Sequence, residues 1–168
     1  MNYFELFEIP VQLKVNKTAL PAQYIELSKK YHPDYFVKEP EDIQLEVLER
    51  SAMLNKAFKT FQDPDETIKY VLQLKGLLEE EEKYELPAEF LMEVLDINEQ
   101  LMDDPIGNRQ LAVGNVDRLE KEIYEPVKEI VEHYKEGIST EKELLQVKEY
   151  YYKKKYLKRI RSSIDHPS

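Results

Sequence analysis

Residues 29–34 read Lys-Lys-Tyr-His-Pro-Asp, and residues 54–64 read LNKAFKTFQDP. The first stretch ends one helix and the second ends another. Pro33 has no amide hydrogen and pushes His32 out of the α region. The helix carrying Leu20, Tyr24, Leu27 and Tyr31, spaced 4, 3 and 4 along one face, therefore stops at His32. Asn16 or Thr18 is expected to cap its start, with Pro21 tolerated in the first turn. A second helix is expected over about 41–61, with an apolar stripe of Val47, Leu54, Phe58 and Phe61, and Asp63-Pro64 ends it. These two antiparallel helices are joined by a loop at 32–40. A short aromatic helix or turn precedes them (Tyr3, Phe4, Leu6, Phe7), and a helix from about 65 follows, with Ile68, Val71, Leu72 and Leu74, stopping at Gly76. About 75 residues suffice for a small independent core.

Composition narrows the class. The chain has 168 residues, 35% of them charged, and a net charge of −10. A polyanion repels nucleic acid. With no cysteine there is no disulfide framework, thiolate nucleophile, or thiolate ligation of zinc or an iron–sulfur cluster. No segment approaches the roughly 20 apolar residues of a membrane helix. The opening MNYFELFEIP is neither a signal nor a transit peptide, so a cytoplasmic protein is expected, folded almost from Met1.

Strand signals are nearly absent, and the expected fold is all-α. Composition shifts after Gly76. Between residues 79 and 104 there are eleven Asp or Glu against a single Lys83, and 79–87 (EEEEKYELP) reads as a solvated stretch. Three further helices are expected: about 88–103, ended by Pro105 and Gly107; about 116–135, kinked at Pro126; and about 140–164, opened by a Thr140/Glu143 capping box. They suggest an antiparallel three-helix bundle. The last helix has eight Lys or Arg against two Glu between 142 and 161, which complements the acidic helix beside it. The expected division is 1–76, an acidic linker at 77–87, and a bundle at 88–164.

The order of aromatic N-terminus, helix ending in KKYHPD, loop, and helix ending in AFKTFQDP resembles the J-domain, through which co-chaperones stimulate DnaK-type heat-shock ATPases. More closely, NYFELFEIP (2–10), IKYVLQLKG (68–76), FLMEVLDINEQL (90–101) and YLKRIRSS (156–163) look like successive blocks of the HscB family, the J-type co-chaperones of iron–sulfur cluster assembly. The resemblance covers almost the whole chain and is weakest over 103–150. The lack of an N-terminal extension makes it look bacterial. It implies that His32, Pro33 and Asp34 contact the chaperone ATPase (HscA-like) and trigger hydrolysis there, with Lys29 and Lys30 meeting an acidic patch. Many J-domains carry a basic pair earlier on that helix, where this chain has Ile25 and Glu26; the departure suits a specialised chaperone. Exposed ion pairs are individually weak, so such a surface steers and orients more than it binds.

The helix at 88–103 also reads without the family. At 100° per residue, Phe90, Val94, Ile97 and Leu101 share a narrow arc facing the bundle core. Leu91, Leu95 and Met102 lie on a neighbouring arc, and Met92, Asp96, Glu99 and Asp103 on the far side. Periodicity leaves two possibilities: the third bundle helix covers Leu91 and Leu95, or they form an exposed apolar strip rimmed by acids, a docking surface. The resemblance implies the second, with Leu91, Met92, Leu95, Asp96, Glu99, Asp103 and Tyr156 docking the scaffold protein (IscU-like) on which clusters are built. Asp96 and Asp103 stand where the family has glutamates, and Tyr156 where it has phenylalanine.

An enzyme is not expected. The imidazoles are His32, His133 and His166; His32 and Asp34 have no third ligand or nucleophile nearby in sequence, and no Walker-type or GxGxxG phosphate loop is present. No cofactor, metal site or membrane partner is expected. The favoured expectation is an adaptor that activates a dedicated chaperone and delivers the scaffold to it. The alternative is a J-domain protein serving a general DnaK-type chaperone with a different client on its bundle. The lack of Gly/Phe-rich and cysteine-rich zinc segments disfavours a general DnaJ.

Overall fold

The computed structural model describes residues 1–166, and among these it is helical with no strand. Helix α1 (Tyr3–Leu6) is held by an Asn2/Glu5 capping box. It drives Phe4 and Phe7 onto Phe61, with ring centroids at 5.0 and 5.3 Å, and stacks Tyr3 on Tyr70 at 4.2 Å. Helices α2 (Leu20–Lys30) and α3 (Glu41–Gln62) form the expected hairpin. Tyr24 stacks on Phe58 at 4.3 Å and donates its hydroxyl to Asn55 at 2.6 Å. Asp63 caps α4 (Pro64–Leu74) by accepting from the Asp65 and Glu66 amides. Gly76, with φ of +72°, turns the chain out of that helix as the Leu77 amide reaches back to the Leu72 carbonyl. Thr67, buried at this junction, donates to carbonyls of Thr60 and Asp63 within 2.9–3.0 Å, so its hydroxyl is satisfied.

The C-terminal half consists of α5 (Ala88–Asp103), α6 (Arg109–Tyr124), a 3₁₀ turn (Glu125–Val127), α7 (Lys128–His133) and α8 (Glu141–Asp165). After the break at Pro126 the buried side chains of α7 are set by a new helical phase, with Val131 buried and Ile130 half-buried. Thr140 and Glu143 form the capping box of α8. Tyr150, Tyr151 and Tyr152 are consecutive and all buried. Neighbours 100° apart can all be buried only if the helix is enclosed on most sides. α8 is accordingly packed by α6, α4 and α5. One apolar core runs from Phe4 to Ile164 through both halves, and Lys158 ties α8 to Asp65 of α4 at 2.5 Å.

Three expectations are corrected. α2 is capped at Ala19; the Asn16 side chain accepts from the Thr18 amide one turn earlier. α6 starts at Arg109, not near 116. Residues 77–87, expected as a solvated acidic linker, lie along α8: Leu78 is buried, Tyr84 stacks on Tyr152 at 4.6 Å, and Glu82 pairs with Lys148 at 2.6 Å. The apolar anchors, buried Leu78 with half-buried Tyr84 and Leu86, outweigh the polar composition around them, and the Lys148 hydrogen bond holds the Glu82 carboxyl below its ordinary value.

Candidate functional site

The bend after α2 is built by Pro33. His32 takes extended backbone, φ −73° and ψ 125°, as a residue before proline must. Pro33–Phe36 then forms a 3₁₀ turn closed by the Tyr35 amide on the His32 carbonyl at 3.1 Å. His32 Nδ1 accepts from the Asp34 amide at 3.2 Å, and also lies 3.6 Å from Asp34 Oδ2. The Asp34 side chain is 84% exposed, His32 and Pro33 are exposed as well, and Tyr35 lies edge-on to the imidazole at 5.9 Å. Lys29 and Lys30 close the C-terminal turn of α2, where cations are favoured; both are exposed and form no ion pair among the described residues. The bend thus presents an imidazole, a carboxylate and two ammonium groups to solvent.

The strip on α5 is the second feature. Phe90, Val94 and Ile97 are buried, as their arc requires. Leu91, Met92 and Leu95 are 39%, 66% and 55% exposed, so the third bundle helix does not cover them. Asp96, Glu99 and Asp103 are exposed and have no cationic partner among the described residues; Glu93 is the α5 acid that meets one, Arg118 at 3.6 Å. The expected pairing of basic α8 with acidic α5 is therefore not made. The α8 cations turn instead to Asp65, Glu82, Asp117 and Glu120. Tyr156, half-buried, stands edge-on to Phe90 at 6.4 Å and borders a groove with Leu91. Met102 and Ile106, 81% and 91% exposed, carry the apolar surface past the end of α5. Ile106 was beyond the reach of periodicity because it lies in the turn after the helix.

Among the described residues no group of His, Asp or Glu could hold a metal ion, and no helix is long and apolar enough to cross a membrane. His133 lies 3.5 Å from Glu129 on the exposed face of α7.

Known proteins share this architecture. A family model described as the HSCB C-terminal oligomerisation domain matches residues 86–165. A co-chaperone protein HscB homolog of Vibrio cholerae is 36% identical over 102 residues, 60% of each chain. Another, of Shewanella amazonensis, is 38% identical over 111 residues, 62% of this chain and 64% of that one. These matches span under two thirds of the relatives' length. The structural likeness extends further. Chaperone HscB from Vibrio cholerae superposes with a TM-score of 0.71 at 25% identity, over 98% of this chain and 96% of that one. The human co-chaperone protein HscB gives 0.77 at 25% identity, over 98% and 81%. With that fold over 98% of its length and that domain over residues 86–165, the chain is similar to the HscB co-chaperones.

Proposed function

We propose that this chain is a non-catalytic adaptor of iron–sulfur cluster assembly, acting in the cytoplasm. Residues 1–76 engage an HscA-like, DnaK-type ATPase through His32, Pro33, Asp34, Lys29 and Lys30, and stimulate its hydrolysis. Residues 88–164 carry an IscU-like scaffold on Leu91, Met92, Leu95, Asp96, Glu99, Asp103 and Tyr156. The chain supplies no chemistry to either partner. Its contribution is linkage, since holding both on one body raises the effective concentration of each for the other. A shared core and the Lys158–Asp65 tie support transmission of that geometry without loss to linker motion.

The observation that carries this reading is the exposed, acid-rimmed strip on α5, a helix whose opposite face is buried. Folding does not require three large apolar side chains left in water beside three carboxylates that meet no cation among the described residues, and such a patch marks a partner site. A single-turnover ATPase assay tests it, with a dedicated and a general DnaK-type chaperone in parallel, each with and without scaffold. The expected result is stimulation of the dedicated chaperone that rises further with scaffold. Equal stimulation of the general chaperone, indifferent to scaffold, would contradict it.

A further inference from the structure

We infer that Lys155 and Arg159 form a cationic edge of the α5 docking face and that the scaffold meets this edge with carboxylates. The inference rests on the proposed scaffold reading and adds a polarity to it. Of the cations in the middle and end of α8, Lys148, Lys153, Lys154, Lys158 and Arg161 each reach an acid of the chain itself. Lys155 and Arg159, one helical turn apart and both exposed, form no ion pair among the described residues. Lys155 rests over the Tyr152 ring at 5.8 Å. The two cations border the groove that contains Leu91 and Tyr156. Of the acids on that groove, Glu82 is taken by Lys148, and Glu85 pairs with neither cation.

The order of groups across the surface follows from the helix. Glu93 faces α6 through Arg118, while Leu91 and Asn98 face α8 through the grooves they share with Tyr156 and Arg159. Passing outward from α8 at 100° per residue, one meets Lys155 and Arg159, then Leu91, then Leu95 and Met102, then Glu99 and Met92, and last Asp103 and Asp96. The face is basic on one edge, apolar in the middle and acidic on the other. A partner that seats its apolar patch on the strip satisfies both edges in one orientation only, and the reversed orientation sets like charges against each other. A guanidinium suits this edge because it meets a carboxylate with two parallel N–H donors. On a chain of net charge −10, two cations at one spot that meet no acid among the described residues are a local departure from the overall sign.

The test is titration calorimetry of the full chain with purified apo scaffold at two salt concentrations, using wild type, K155A/R159A, K155E/R159E and L91A/L95A. Neither cation is buried, so circular dichroism melting of both cation variants is expected to match wild type within a few degrees. K155A/R159A is expected to weaken binding about three- to tenfold at low salt and less at high salt. K155E/R159E is expected to weaken it further, with partial rescue by a scaffold whose facing carboxylates are changed to lysine. If both cation variants bind like wild type while L91A/L95A does not, the cationic edge is wrong and the docking strip stands. If L91A/L95A also binds like wild type, the fault lies in the docking reading beneath it. Sedimentation showing that the cation variants dissociate a wild-type dimer would overturn the inference in favour of a second copy as the occupant.

Discussion

Truncating Leu91 and Leu95 together to alanine separates a docking surface from a core. Burying a leucine side chain completely is favourable by about 2.5 kcal/mol. Leu91 is 39% and Leu95 55% exposed, so a partner that covers both gains about 1 and 1.4 kcal/mol. The double variant should then lose about 2 kcal/mol of scaffold affinity, roughly thirtyfold in Kd. The buried remainder of each side chain is lost from the fold as well, about 1 to 1.5 kcal/mol per site, and the variant should stay folded at room temperature. Ile97, on the core-facing arc at 2% exposure, provides the contrast: I97A should cost about 2–5 kcal/mol of stability and leave the affinity of the folded fraction near wild type. The assay is calorimetric binding paired with urea unfolding of the same samples. Should L91A/L95A bind at full strength once corrected for folded fraction, or cost more stability than I97A does, the exposed-strip argument fails.

Alkali should open the fold through its tyrosines. Burial pushes Tyr151 up to about 12 from an ordinary 10.0, and pushes Tyr150 up further. A phenol raised in the folded state stabilises fully below the unfolded value and loses that contribution as pH climbs through the folded one. Stability measured by circular dichroism should thus fall between pH 10 and 12, in step with tyrosinate absorbance; ionisation of all twelve tyrosines near pH 10 without unfolding would show that the α8 tyrosines are accessible. Y84A removes the ring that stacks on Tyr152 and should release residues 79–86 to protease at a stability cost of about 2–4 kcal/mol; protection equal to wild type would show that Leu78 and Leu86 hold the segment unaided. The Glu82 carboxyl, lowered by its hydrogen bond to Lys148, adds stability above the ordinary 4.5, and loses it as pH falls through its folded value. E82Q should flatten the acid side of the stability curve, and an unchanged acid limb would deny that pair a role.

Local signals were legible because they act within a few residues. Pro33 and Asp63-Pro64 end α2 and α3 without reference to any neighbour, and Thr140 with Glu143 fixes the start of α8. The core arc of α5 followed from spacing alone. The parts that were not legible depend on which element lies next to which. The run at 79–82 and 85 looks solvated because nothing local says that Tyr84 will find Tyr152, 68 residues on. The first turns of α6 carry Ala112 as their one buried side chain, too little for a stripe to mark the start at Arg109. Basic α8 and acidic α5 are complementary in composition, yet the α8 cations pair with acids on α4, α6 and the 77–87 segment, because α6 and α4 pack more extensively on α8 than α5 does and Tyr84 lays that segment along it. For the same reason the α5 carboxylates stand free. Sequence identified the candidate side chains, and packing showed which of them solvent reaches.

If one chain works through two separate surfaces, the scaffold-dependent single-turnover ATPase rate of the chaperone separates them, with D34N and L91A/L95A compared against wild type. Asp34 is 84% exposed and, among the described residues, bonded only within its own bend, so D34N should fold and bind scaffold like wild type while stimulation disappears. L91A/L95A should keep the stimulation given by the chain alone and lose the increment that scaffold adds. If D34N stimulates like wild type, or if each variant loses both activities together, the two surfaces are not the working parts of this molecule.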